Sequence, residues 1–183
     1  MHRSMLALAA CALFPATALA DDLVDNPTYQ SWARFAVGAT VEYRTVSDTA
    51  GNRSETIMVY TLTSSTAEKV VVEMKTTTIM AGQKYEQPAM PMEYAAKIEA
   101  TALESNDPNI EKSEGSESIE VAGKKYDTKW YEVKTAASGM TTTSRTWMSD
   151  EIPGSYLRSV TKMEGPMTMT SETVLVSVKA SAK

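Results

Sequence analysis

Two carboxylates stand side by side at Asp150 and Glu151, inside the stretch RTWMSDEIPGSYLR. Paired carboxylates can serve as general acid and base, or as acid and nucleophile, when they face each other across a few ångströms of cleft. Adjacent residues in extended chain send their side chains to opposite sides, and no third group is spaced to tune either acid. Pro153-Gly154 follows, a dipeptide suited to the central positions of a type II turn. The stretch therefore reads first as a connector between two strands, with a carboxylate-based enzyme as the lesser alternative.

Sulfur is the next candidate. AMPM (Met90, Met92) and PMTM (Met167, Met169) each put two methionines on one side of an extended chain. Thioethers can hold Cu(I) in an oxidising compartment, but copper-handling segments offer histidine or denser methionine than this. Methionine is also an adaptable gap-filler that lines surfaces for varied apolar partners. Trp130 and Trp147 fall on strand-like segments, where they would pack the sheet or form an aromatic platform. The residues expected to line an apolar site are Trp130, Trp147, Met74, Met167 and Met169, with no catalytic residue, metal or cofactor.

What the chain lacks narrows the chemistry further. Its one histidine and one cysteine, His2 and Cys11, lie within the first twenty residues. Without those residues there is no Ser-His-Asp or Cys-His nucleophile, no zinc site of the usual ligand sets, no histidine-held haem and no disulfide. A net charge of -5 with interspersed signs leaves no basic footprint for nucleic acid.

The opening MHRSMLALAACALFPATALA has the anatomy of a secretory signal: Arg3, an apolar run from Met5 to Phe14, and a small-x-small site at Ala18-Leu19-Ala20. Cleavage after Ala20 and a periplasmic location are expected. The alternative is a lipoprotein anchored at Cys11 of LAAC, although the apolar run before it is short. No segment is long and apolar enough to span a bilayer. Residues 21–183 are enough for one domain with an ordinary apolar core.

Within that domain, DNPTYQSWARFAVG predicts a short helix capped by Asn26, with Pro27 in its first turn, Gly38 as its far limit, and Trp32 and Phe35 plugging one end of a sheet. ATVEYRTV alternates with period two. SETIMVYTLT is apolar on both faces. STAEKVVVEMKTTTIM puts Val70, Val72 and Met74 on one side. Pro91 to Glu104, rich in Ala, Glu and Lys, predicts a short helix or irregular segment, and SNDPNIEKSEGSES predicts a solvated loop. ESIEVAGKKYDTKWYEVKT is a hairpin with Tyr126, Thr128 and Trp130 on one face. SGMTTTSRTWM, GSYLRSVTKMEG and PMTMTSETVLVSVKA complete the strands, the last with Val174, Val176 and Val178 on one side. The expected fold is mainly β: a curved antiparallel sheet, half-barrel or barrel, of about seven to nine strands with one or two short helices.

Three stretches, WARFAVGATVEYRT, SIEVAGKKYDTKWYEV and RTWMSDEIPGSYLRSV, resemble a group of uncharacterised exported bacterial β-rich proteins that share W-x-x-F-x-V-G-x-x-V-x-Y near the start and W-x-S-D-x-x-P-G near the end. That group often carries a cysteine where this chain has Thr128, so no thiol role carries over. More remotely, the layout is similar to lipoprotein-carrier-like (Lol-type) envelope proteins. This likeness implies an open half-barrel whose apolar concave face holds acyl chains. The expected function is thus non-enzymatic binding of a lipid, another apolar ligand or an envelope component. A structural or protein-interaction module of the envelope is the alternative.

Overall fold

The computed structural model describes residues 23–103, 110–137 and 139–183. The expected signal segment, its expected cleavage site and Cys11 lie outside the described residues. Strands make up 71% of the described residues and helical segments 7%. In order these are β1 (Leu23–Asp25), α1 (Pro27–Ala33), β2 (Thr40–Thr49), β3 (Asn52–Ser65), β4 (Lys69–Met80), β5 (Gln83–Glu86), β6 (Met90–Ala95) and β7 (Lys97–Glu99). A 3-10 turn (Ala100–Leu103) precedes β8 (Ile110–Val121), β9 (Lys124–Ala137), β10 (Met140–Met148), β11 (Tyr156–Glu164) and β12 (Met169–Lys179).

Ten strands form one antiparallel sheet that does not close, ordered β5-β4-β3-β2-β12-β11-β10-β9-β8, with β6 beside β5 on the same edge of β4. This exceeds the expected seven to nine strands because β5 and β6 share one edge, Gln83–Glu86 against Thr77–Met80 and Met90–Ala95 against Lys69–Met74. Pro88 lies in the break between them, and Pro91 falls within β6. β1 and β7 pair separately.

The helix forms where its signals lie. Asn26 caps it, its Oδ1 accepting from the Thr28 and Tyr29 amides at 3.0 and 3.4 Å, and Pro27 occupies the first turn. Asn26 Nδ2 also donates to the Ala95 carbonyl at 2.8 Å, tying the helix start to the end of β6. Asn26→Ala removes both functions from a buried site, and an expected loss of about 1–2 kcal/mol is readable as a lower urea midpoint. Asn26→Asp keeps the cap alone and should recover part of it.

Trp32 and Phe35 pack with Val41, Leu62, Val70 and Val72 on one face of the sheet, called here the inner face. The core continues into Val121 and Tyr126, which by register belong to the outer face, and β8 comes into contact with β12.

Three expectations need correction. The segment from Pro91 to Glu104 holds no α-helix in its described part. Met92 and Tyr94 alternate inward against Val72 and Val70, and the open edge of β4 overrides the helical composition. The predicted loop SNDPNIEKSEGSES is strand from Ile110 onward, its residues 105–109 lying outside the described ones. β8 pairs β9 along its whole length, with Glu111 3.5 Å from Lys134, a charged edge strand of the kind that resists aggregation. Val174, Val176 and Val178 do not share a side. A bulge between Leu175 and Ser177 shifts the pairing, so Leu175 is buried while Val176 is 42% exposed.

Candidate functional site

Strand pairing assigns every side chain of the sheet to one face, and the five residues expected to line a site divide between the two. Met74 pairs with Tyr60 and, through it, with Val41, so it lies on the inner face. Met169 lies on that face too, paired with Met163 and Thr49 at the end of the strands remote from the helix. Trp147 pairs with Arg158, and through it with Val174 and Arg44, which places Trp147 and its partner Trp130 on the outer face. Met167 precedes β12 and is 59% exposed. The tryptophans and methionines therefore form no common lining.

On the outer face the two indoles are engaged. Trp147 is buried and donates from Nε1 to Glu117 at 2.6 Å. The Arg145 guanidinium lies 4.3 Å from the Trp130 ring centroid, and Arg158 lies 5.2 Å from that of Trp147. Gly115 opposite Trp130 has no room for a side chain, since a Cβ there would fall 2.6 Å from the indole. Ion pairs complete this face: Arg44–Glu55 at 2.8 Å, Arg158–Glu172 at 2.7 Å and Arg145–Glu132 at 2.9 Å. Alternating indole and guanidinium groups across β9, β10 and β11 are sheet packing with cation–π support.

The acidic pair acts as a clamp. Asp150 Oδ1 accepts from Arg34 at 2.9 Å and from Ser155 Oγ at 3.2 Å, whereas Glu151 turns to Lys124 at 2.8 Å. The Arg34 hydrogen bond holds the Asp150 carboxyl below its ordinary range. Pro153-Gly154 forms the predicted turn: the Ser155 amide donates to the Ile152 carbonyl at 3.1 Å, with Gly154 at φ +77°. The Gly154 amide reaches the Ser31 carbonyl, so the connector is fastened to α1. A cleft of about 740 Å³ opens beside this clamp, lined by Arg34, Lys129, Tyr131 and Asp150 among others.

The inner face changes character along the strands. Next to the helix-packed core is a band of Tyr43, Met58, Tyr60, Met74 and Tyr156. Tyr43 sits at its centre, stacked edge-to-face with Tyr60 at 5.8 Å and Tyr156 at 5.1 Å, and donates to the Tyr156 carbonyl at 2.8 Å. Burial raises all three phenols, Tyr43 well above the ordinary range. Beyond the band come two rows of hydroxyls. Thr146, Ser159, Thr173, Thr45 and Thr56 run across β10, β11, β12, β2 and β3. Ser144, Thr161, Ser171, Ser47 and Ser54 form the second row on the same strands. Four cross-strand pairs bond: Thr45–Thr173 at 2.7 Å, Ser47–Ser171 at 2.9 Å, Ser144–Thr161 at 3.0 Å and Thr146–Ser159 at 3.2 Å. Every residue of both rows is part-exposed and none is charged.

These features define a class: an open single-sheet β protein with a helix plugging one end of an inner face that runs from apolar to hydroxylic. No protein-family model and no curated protein matches the chain. Two solved structures superpose on most of it. One, described as an exported protein with a YmcC-like fold from Bacteroides fragilis, is 10% identical, covers 80% of this chain and 99% of its own, and has a TM-score of 0.46. The other, described as a lipoprotein from Parabacteroides distasonis, is 12% identical, covers 81% and 98%, and also has a TM-score of 0.46.

Proposed function

We propose that this chain is a non-enzymatic binding protein of the bacterial cell envelope, exported by its leader to the periplasm, which holds an apolar ligand on the methionine–tyrosine band of the inner face. The observation that carries this reading is that Met58, Tyr60 and Tyr156 pack against the buried core, with Met74 paired beside Tyr60, and that all four stay part-exposed and free of charge. Methionine supplies adaptable contact area, and each Å² of apolar surface removed from water contributes about 25 cal/mol. Affinity should therefore respond weakly to salt. Asp150 and Glu151, each held by its own cation, serve the fold in this reading.

Protein purified without detergent should carry lipid detectable by native mass spectrometry and should enhance an apolar fluorophore. Met74→Glu should abolish the enhancement while leaving the circular dichroism unchanged. Absence of both signals in the unaltered protein sinks the reading. The exposed Met80, Tyr85 and Met90 along the β4–β5–β6 edge favour the second reading, an envelope protein as partner. One specific neighbour in cellular cross-linking, with no bound lipid, would select it.

A further inference from the structure

We propose that the ligand of the inner face is an amphiphile with a neutral, hydroxyl-rich headgroup, glycolipid-like, whose sugar lies on the two serine–threonine rows while its chain lies on the methionine–tyrosine band. The inference rests on the binding reading above and specifies the ligand's polar half.

The argument comes from counting donors and acceptors. A hydroxyl has one donor and two acceptor positions. Each of the four cross-strand pairs uses one O–H internally, and Thr173 and Ser159 also hydrogen-bond the Tyr156 phenol, so the remaining donors and lone pairs lie chiefly in the Ser47–Ser171 and Ser144–Thr161 pairs. An anionic headgroup needs donors alone and positive charge; a cationic one needs acceptors alone and negative charge. A sugar hydroxyl both donates and accepts, so it uses what the rows present. Charge is sorted accordingly: Arg44, Arg145 and Arg158 with their glutamates lie on the outer face, and the rows between the band and the far rim contain no ionisable group. Strand spacing sets neighbouring backbones about 4.8 Å apart along a row and the rows about 6.7 Å apart, while the bonded hydroxyls of a row approach to between 2.7 and 3.2 Å, so one sugar ring can engage two rows. The Tyr156 phenol, beside Thr173 and Ser159, marks the boundary where headgroup gives way to chain.

The test uses the mature protein and four probes, the detergents below their critical micelle concentrations: dodecyl maltoside, dodecylphosphocholine, laurate and free maltose, titrated calorimetrically. Dodecyl maltoside should bind roughly tenfold tighter than the other two chains, the equivalent of one or two net hydrogen bonds, and maltose should bind weakest. The double variant Thr45→Val/Thr173→Val retains strand-forming residues. It should erase most of that preference while laurate affinity stays unchanged, with Ser171→Ala as the milder substitute should the double variant fail to fold. Equal binding of all three chains, or an undiminished preference in the variants, overturns the headgroup assignment and leaves the apolar band standing. Maltose binding as tightly as dodecyl maltoside overturns the amphiphile. Binding of none overturns the underlying reading as well.

Discussion

Tyr43→Ala is expected to lower the stability of the fold by about 3–5 kcal/mol, the range for deleting a buried aromatic side chain. Tyr43 is only 5% exposed and its ring stands between those of Tyr60 and Tyr156. Truncation opens a cavity bounded by sheet backbone, which cannot collapse to fill it. Tyr43→Phe keeps the rings and removes one O–H, stranding the Tyr156 carbonyl, and should cost about 1–3 kcal/mol. Urea denaturation separates the two. The same residue sets the alkaline limit. Its folded value is raised by burial, so its contribution is complete below the unfolded phenol's range near pH 10 and is lost as pH climbs beyond it. The expected slope is about 1.4 kcal/mol per pH unit. Midpoints at pH 8, 10 and 11 should fall for the unaltered protein and fall less steeply for Tyr43→Phe. A denaturation midpoint for Tyr43→Ala within error of the unaltered protein's would remove Tyr43 from the core.

Gly154→Val is expected to cost about 2–4 kcal/mol, from a β-branched residue forced into the left-handed region and overpacking against an indole. At Gly154 φ is +77°, and an added Cβ would lie 3.2 Å from the Trp32 ring. The neighbouring Ser155, at φ +57°, fixes the chain on the other side. Gly123→Val separates the two effects. Its φ is +72° but nothing lies within 4 Å, so it carries the backbone strain without the collision. Thermal unfolding should place Gly154→Val well below Gly123→Val, with Trp32 fluorescence shifted only in the first. Equal melting temperatures would show that the connector does not press on the helix.

Local signals in the sequence located the elements they belong to. Asn26-Pro27 fixed the helix start, the alternation of Val41 and Tyr43 fixed the inner side of β2, and Pro153-Gly154 fixed the turn at the clamp. The errors arose where a partner decides. β6 was hidden because Ala, Glu and Lys favour helix in isolation, although Met90, Met92 and Tyr94 already alternate. β8 was hidden because an edge strand needs few apolar residues when its neighbour supplies the pairing. The five residues expected to line a site divide between the faces for a related reason. Trp147 and Met169 are seen to differ in face only by following registers through β10, β11 and β12, and a one-residue slip exchanges faces. The hydroxyl rows were visible as TTTSRT and RSVT, but their alignment into rows exists only across strands.

The break at Pro88, and Pro91 within β6, bear on how the molecule tolerates crowding. Proline offers no amide hydrogen, so a second copy approaching that flank meets an interrupted template. At the opposite flank it meets the glutamates of β8. Neither border invites end-to-end propagation into fibrils. The protein should therefore remain dispersed at concentrations where an uninterrupted ribbon of this length would polymerise.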